Sequence, residues 1–146
     1  MIADYFGVEP AIIARLKAEV PEVPESHIFT PFGLDGMMEN SQPSPSLHVI
    51  YAGDAVTGDE VGARTRQIVG QRWLVVLAVR NAKAQLKNTT EIRTAAGVII
   101  PKLLNALQGW APAEWMRPLG RVSGPAAGYS SAFAYFPFMF EGRIIT

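Results

Sequence analysis

Chemistry needs acids, bases, nucleophiles or metal ligands gathered at one place, and this chain offers few candidates. Its two histidines, His27 and His48, come with no cysteine, so a usual zinc set would need two carboxylates from elsewhere. They read as ordinary core or surface histidines. Asp54, Asp59 and Glu60 could meet a divalent ion, but their spacing misses the calcium-loop pattern and no second carboxylate cluster stands nearby. Ser130-Ser131 lacks the Gly-x-Ser-x-Gly turn that exposes a nucleophile. Gly120, Gly124 and Gly128 lie outside any strand-to-helix turn, unlike a phosphate loop. The expectation is a protein without a catalytic step, a metal or a cofactor.

Two groups remain that suit contact rather than catalysis. Arg64, Arg66, Arg72 and Arg80 fall on even positions of one strand-like stretch and would share a side if no bulge intervenes at Gly70. A phosphate backbone or acidic neighbours would suit them, and the balanced charge of the chain favours a solvated face or intersubunit pairs. The stretch Asp54, Asp59, Glu60, Arg64, Arg66 reads as the exposed tip of a hairpin, a contact loop for a neighbour or partner.

The second group is aromatic. Residues 133–140, Phe-Ala-Tyr-Phe-Pro-Phe-Met-Phe, are apolar at nearly every position, so both faces of such a strand need cover. Pro137 lacks an N–H and points to a sheet edge, a strand start or a bulge. Leaving three such rings in water would forgo roughly 5–9 kcal/mol, comparable with the stability of a whole domain. Tyr135, Phe136, Phe138 and Phe140 are therefore expected to meet another copy of the chain. Lining of a small-ligand pocket is the alternative for these rings and for Trp73, Trp110 and Trp115.

Composition bounds the rest. A chain of 146 residues that is 49% hydrophobic can close one core without staples, and a single domain over 1–146 is expected. Thirteen basic residues balance thirteen acidic ones, which removes any global footprint for nucleic acid or anionic membrane. The longest apolar run, 73–79, is far too short to span a bilayer, and the first residues carry no export signal. A soluble protein made in a reducing cytoplasm is the expectation.

Pro10 can open an amphipathic helix to about Val20, with Ile12, Ile13, Leu16 and Val20 on one face. Residues 21–45 are rich in Pro, Ser, Gly and Asn and predict an arm with at most one short strand near 27–29. Residues 46–52 and 66–80 read as strands, the second so long that its first half should leave the sheet in a projecting hairpin. Asn88-Thr89-Thr90-Glu91 resembles a capping box opening a helix to about Gln108, with Pro101 inside it and Gly109 as its stop. A short strand at 118–122, a glycine-rich turn and the aromatic strand follow. The order predicts an α+β fold: a mostly antiparallel or mixed β-sheet, two main helices packed on one face, and a long projecting β-hairpin.

Several stretches together resemble the Mu-like phage tail terminator proteins, which are related in fold to the tail terminator of phage lambda. They are Leu47-His48-Val49-Ile50-Tyr51-Ala52-Gly53, the strand 66–77, Ala96-Gly97-Val98-Ile99-Ile100 with Leu107-Gln108-Gly109-Trp110, and the closing Ala134-Tyr135-Phe136-Pro137-Phe138-Met139-Phe140. The resemblance implies a homo-oligomeric ring, typically a hexamer, that caps the tail tube, stops its polymerisation and presents a joining surface to the head-side connector protein. Such a protein sits in the virion tail after assembly in the host cytoplasm. DNA passes through its lumen without sequence-specific binding, and no membrane is involved. A head-tail connector or other head-completion protein is the alternative of the same structural kind.

Overall fold

The computed structural model describes residues 2–31, 33, 42–60, 66–80, 90–130 and 132–146, without the side chains of Thr57, Asp59 and Glu60. Among the described residues two α-helices, α1 (Val8–Glu19) and α2 (Thr90–Leu107), accompany six strands: β1 (Ile28–Phe29), β2 (Ser46–Glu60), β3 (Gln67–Arg80), β4 (Gly120–Val122), β5 (Gly128–Tyr129) and β6 (Phe133–Ile145). The sheet order is β1-β2-β3-β6-β4, with β5 also on β6. Among the described strands β1 runs parallel to its neighbour, and the other pairings are antiparallel. The fold is α+β with a mixed sheet.

The period of two along β3 separates the faces. Val69, Trp73, Val75, Leu77 and Val79 join Phe140 and Ile144 of β6 in one core with Ile12 and Leu16 of α1 and Ile99 and Leu103 of α2. Leu74, Val76 and Ala78 point the other way and cluster with Ile50, Phe133 and Tyr135. Both helices thus cover one face, as the apolar spacing in each predicts. Where α2 ends, Gly109 takes φ +77°, a conformation suited to glycine. Arg15 of α1 donates its Nε–H to the Ala106 carbonyl at 3.0 Å and lies over the Trp110 ring, so one guanidinium fixes the helix pair at that end.

Three expectations need correction. The aromatic strand is not an edge: β6 pairs with β3 from Phe133 to Ile145, and its other side takes β5 at Ala134 and Tyr135 and β4 from Met139 to Glu141. Pro137 falls between the residues that meet β5 and those that meet β4, so its missing N–H costs no pairing on that side. Secondly, β2 does not turn at Gly53 but continues to Glu60. Its turn-forming residues make bulges instead. Tyr51 faces Trp73 while Asp54 faces Gln71, and Val56 faces Val69 while Glu60 faces Gln67, so β2 carries the extra residues; Gly53 and Gly58 there have φ of +92° and +81°. Thirdly, Gly70 is no bulge, because it sits in register between Ala55 and Arg143.

The β2–β3 hairpin is therefore long, but it does not run as a bare ribbon over its described length. β6 accompanies β3 to Ile68, and Gln67 and Thr146 exchange main-chain hydrogen bonds of 2.9 Å. The connecting residues 61–65, with Arg64, and the Asn88 and Thr89 positions of the capping box lie outside the described residues.

Gly70 has a packing reason. A Cβ there would overlap the Glu141 side chain, which lies across the position to accept a 2.9 Å hydrogen bond from Arg72 Nε. Gly70→Ala is expected to cost about 1–2 kcal/mol of unfolding free energy, as the methyl drives Glu141 off Arg72. In a Glu141→Ala background the same substitution should cost less than half as much, read from urea denaturation of the four-variant cycle.

Candidate functional site

The predicted contact residues are divided by the fold. Tyr135 and Phe140 are 4% and 0% exposed within the protomer, so the interface expected of them is corrected: Leu74, Val76 and Phe133 enclose Tyr135 on the face away from the helices, and the helix-covered core encloses Phe140. Phe136 and Phe138 are half-buried on the helix-covered face. Phe136 meets Tyr129 edge-on at 6.4 Å, and the Arg121 guanidinium lies 5.1 Å from the Phe138 ring centre.

Asp54 is not a free hairpin tip. The Tyr5 hydroxyl donates to its Oδ2 and the Tyr51 hydroxyl to its Oδ1, the latter at 2.9 Å. Burial, then the carboxylate, holds both phenols above the usual tyrosine range. Phe6 stands edge-on to both tyrosine rings, at 5.5 and 4.9 Å. Beneath them the buried Gln71 donates Nε2–H to the Tyr5 carbonyl at 2.8 Å and accepts from Trp73 Nε1 at 2.9 Å. This clamp ties the amino-terminal segment to the first bulge of β2.

At the opposite end of β2, Gln42, Ser46 and His48 form a buried polar cluster beside Tyr135. His48 Nε2 lies 2.7 Å from Gln42 Oε1, an acceptor, so that nitrogen carries the proton. Ser46 Oγ donates to the same oxygen at 3.2 Å, and the Gln42 carbonyl accepts from Arg80. Burial drives the His48 pKa down to about 4. The cluster pins the segment leading into β2 onto the face of the sheet away from the helices.

Sequence reasoning missed a third feature. An open groove of about 780 Å³ is lined by Arg66, Arg117, Arg121 and Arg143, together with Glu114 and Glu141 and apolar walls. Glu141 is held by Arg72, and among the described residues none of the four arginines is in an ion pair. Arg66, grouped in sequence with the acidic stretch, belongs to this basic groove. Topology alone gathers residues from 66, 117–121 and 143; no periodicity links them. Among the described residues no group of three or more His, Asp or Glu could hold a metal ion, and no helix is long and apolar enough to cross a membrane.

Among the described residues, clamped edges, half-buried rings and arginines outside any ion pair suit assembly. The family model described as phage tail terminator protein matches residues 1–146, the whole chain. The chain belongs to the phage tail terminator family. It is a structural component of a phage tail. A chain from the solved "Virion of native gene transfer agent (GTA) particle" shares the fold of this terminator-family protein, with a TM-score of 0.61 at 11% identity over 100% of both chains. The comparison with curated proteins returned no match.

The His48 environment sets a pH dependence. The unfolded histidine titrates near 6.5 and the folded one near 4, so its contribution is complete above pH 6.5 and is lost as pH falls towards 4. Unfolding free energy should drop by about 2 kcal/mol between pH 7 and pH 5 on this account, and His48→Gln should flatten that slope in urea titrations.

Proposed function

We propose that this single-domain chain forms a closed homo-oligomeric ring, a hexamer on the family's pattern, that seats on the last ring of a growing tail tube and stops its polymerisation. The ring's other side joins the head-side connector, and DNA passes through the lumen without sequence-specific contacts. Assembly takes place in the host cytoplasm and the product resides in the virion tail. The whole-chain family match carries this reading.

The geometry supports it in two ways. The sheet has a different strand at each border, β1 with β2 on one side and β4 on the other, which suits a head-to-tail contact that repeats around a ring. Phe136 and Phe138, half-buried on β6, and the distal hairpin carrying Asp59 and Glu60 are the proposed contacts to neighbour and tube. No group transfer is needed: binding to the end of the tube is the whole action.

Deleting the gene from its phage should give tails that overrun their normal length in electron micrographs, with complementation restoring it. Normal-length tails lacking only heads would overturn the capping reading in favour of a connector.

A further inference from the structure

Residues 42–45 lead into β2 without joining either apolar core cluster. Hydrogen bonds hold them instead. The Arg80 guanidinium donates to the Gln42 carbonyl at 3.1 Å, the Arg80 main-chain N–H donates to Ser44 Oγ at 2.8 Å, and His27 Nδ1–H donates to the Pro45 carbonyl at 2.8 Å. The Gln42 side chain is the hub: its Oε1 accepts from His48 Nε2 and from Ser46 Oγ, and its Nε2 reaches the Tyr135 hydroxyl at 3.4 Å. A segment fastened in this way opens at lower cost than the packed strands beside it.

His48 cannot take a second proton in place. It is 4% exposed, and its Nε2 already carries the hydrogen that Gln42 Oε1 accepts. The next proton would go to Nδ1, which is buried and has no hydrogen-bond partner among the described residues. An N–H there would be an unmet donor bearing charge. The groups around the imidazole supply no counter-charge among the described residues: Phe29 of β1 lies over it at 5.4 Å, Gln42 and Ser46 are neutral, Tyr135 of β6 is a phenol, and Val76, its register partner on β3, is apolar. The charged side chain of the cluster is Arg80, itself a cation. His27 acts differently, because its Nδ1–H donates to Pro45 whether the ring is neutral or charged.

We propose that residues 42–45 are an acid-opened latch: protonation of His48 drives the imidazole out of its pocket, frees Gln42 and releases the segment from the sheet while the helices and the ladders of β2, β3 and β6 stay closed. Alternation along β2 separates the two events. Leu47 and Val49, on either side of His48, belong to the helix-covered core, so the histidine leaves from the opposite face without disturbing them. Burial holds the closed imidazole down to about 4, while an opened one titrates near 6.5. The latch is therefore fully favoured above pH 6.5, and the ratio of open to closed grows about twentyfold between pH 7 and pH 5. This device does not depend on the ring.

Residue-resolved hydrogen exchange on the full chain tests it at the Arg80 amide, whose acceptor is Ser44 Oγ. Corrected for the intrinsic rate, exchange there should rise about twentyfold from pH 7 to pH 5. It should also be insensitive to low urea, as local opening is, whereas the Leu77 amide, inside both ladders, should be better protected and urea-sensitive. His48→Gln keeps a donor for Gln42 and cannot titrate, so its Arg80 exchange should not change with pH. Gln42→Glu supplies the missing counter-charge and should abolish or invert the rise; it decides the matter if circular dichroism shows His48→Gln unfolded. Constant Arg80 protection in the wild type, an equal rise in a folded variant, or an Arg80 amide as protected and urea-sensitive as that of Leu77 would overturn the proposal.

Discussion

The ladder between β3 and β6 is the constraint from which the rest follows. It pairs thirteen residues of each strand without interruption, and on both faces the paired side chains are apolar over most of its length. A strand pair of that kind must lie inside the sheet and be covered twice. The helices supply one cover, through Ile12 and Leu16 of α1 and Ile99 and Leu103 of α2. On the far face, Gln42 and Ser46 hold the entry to β2 against His48 and Tyr135. Because the centre is so fully satisfied, the surface available to partners is displaced to the borders of the sheet and to its distal end.

At that distal end the fold changes character. Apolar pairs give way to Arg72 with Glu141, Gly70 with Arg143, and the two tyrosines on Asp54. Each device fixes a strand border while keeping it polar. The bulges of β2 at Gly53 and Gly58 add twist and break the flat edge that would pair with any extended chain. A border specified by charge and register, rather than by grease, suits a contact that accepts one geometry.

Helices and the central strands were legible in the sequence because burial imposes a period, and the period survives without knowledge of neighbours. Ile12, Leu16 and Val20, and the run 73–79, declared themselves in this way. The aromatic strand was misplaced for a physical reason. A proline reports that one N–H is missing, not which side of the strand it would have served, and two short strands leaving a gap opposite Pro137 satisfy that absence as well as an edge does. Likewise Gly, Asp and Thr at 53–59 serve a turn or a bulge equally well, and only the pairing with β3 decides. The arginine groove was invisible, since its members come from three segments and their approach is a product of strand order.

Balanced formal charge is itself a misleading summary of this chain. Zero net charge suggests indifference to electrostatics, yet four arginines gathered in one groove concentrate positive charge at one place on the surface. A head-to-tail contact between two different surfaces repeats from one subunit to the next. In the proposed ring, rotation between neighbours closes that repeat and leaves no unpaired end. The proposed cap needs that property, because an assembly that stops the growth of another must first stop its own.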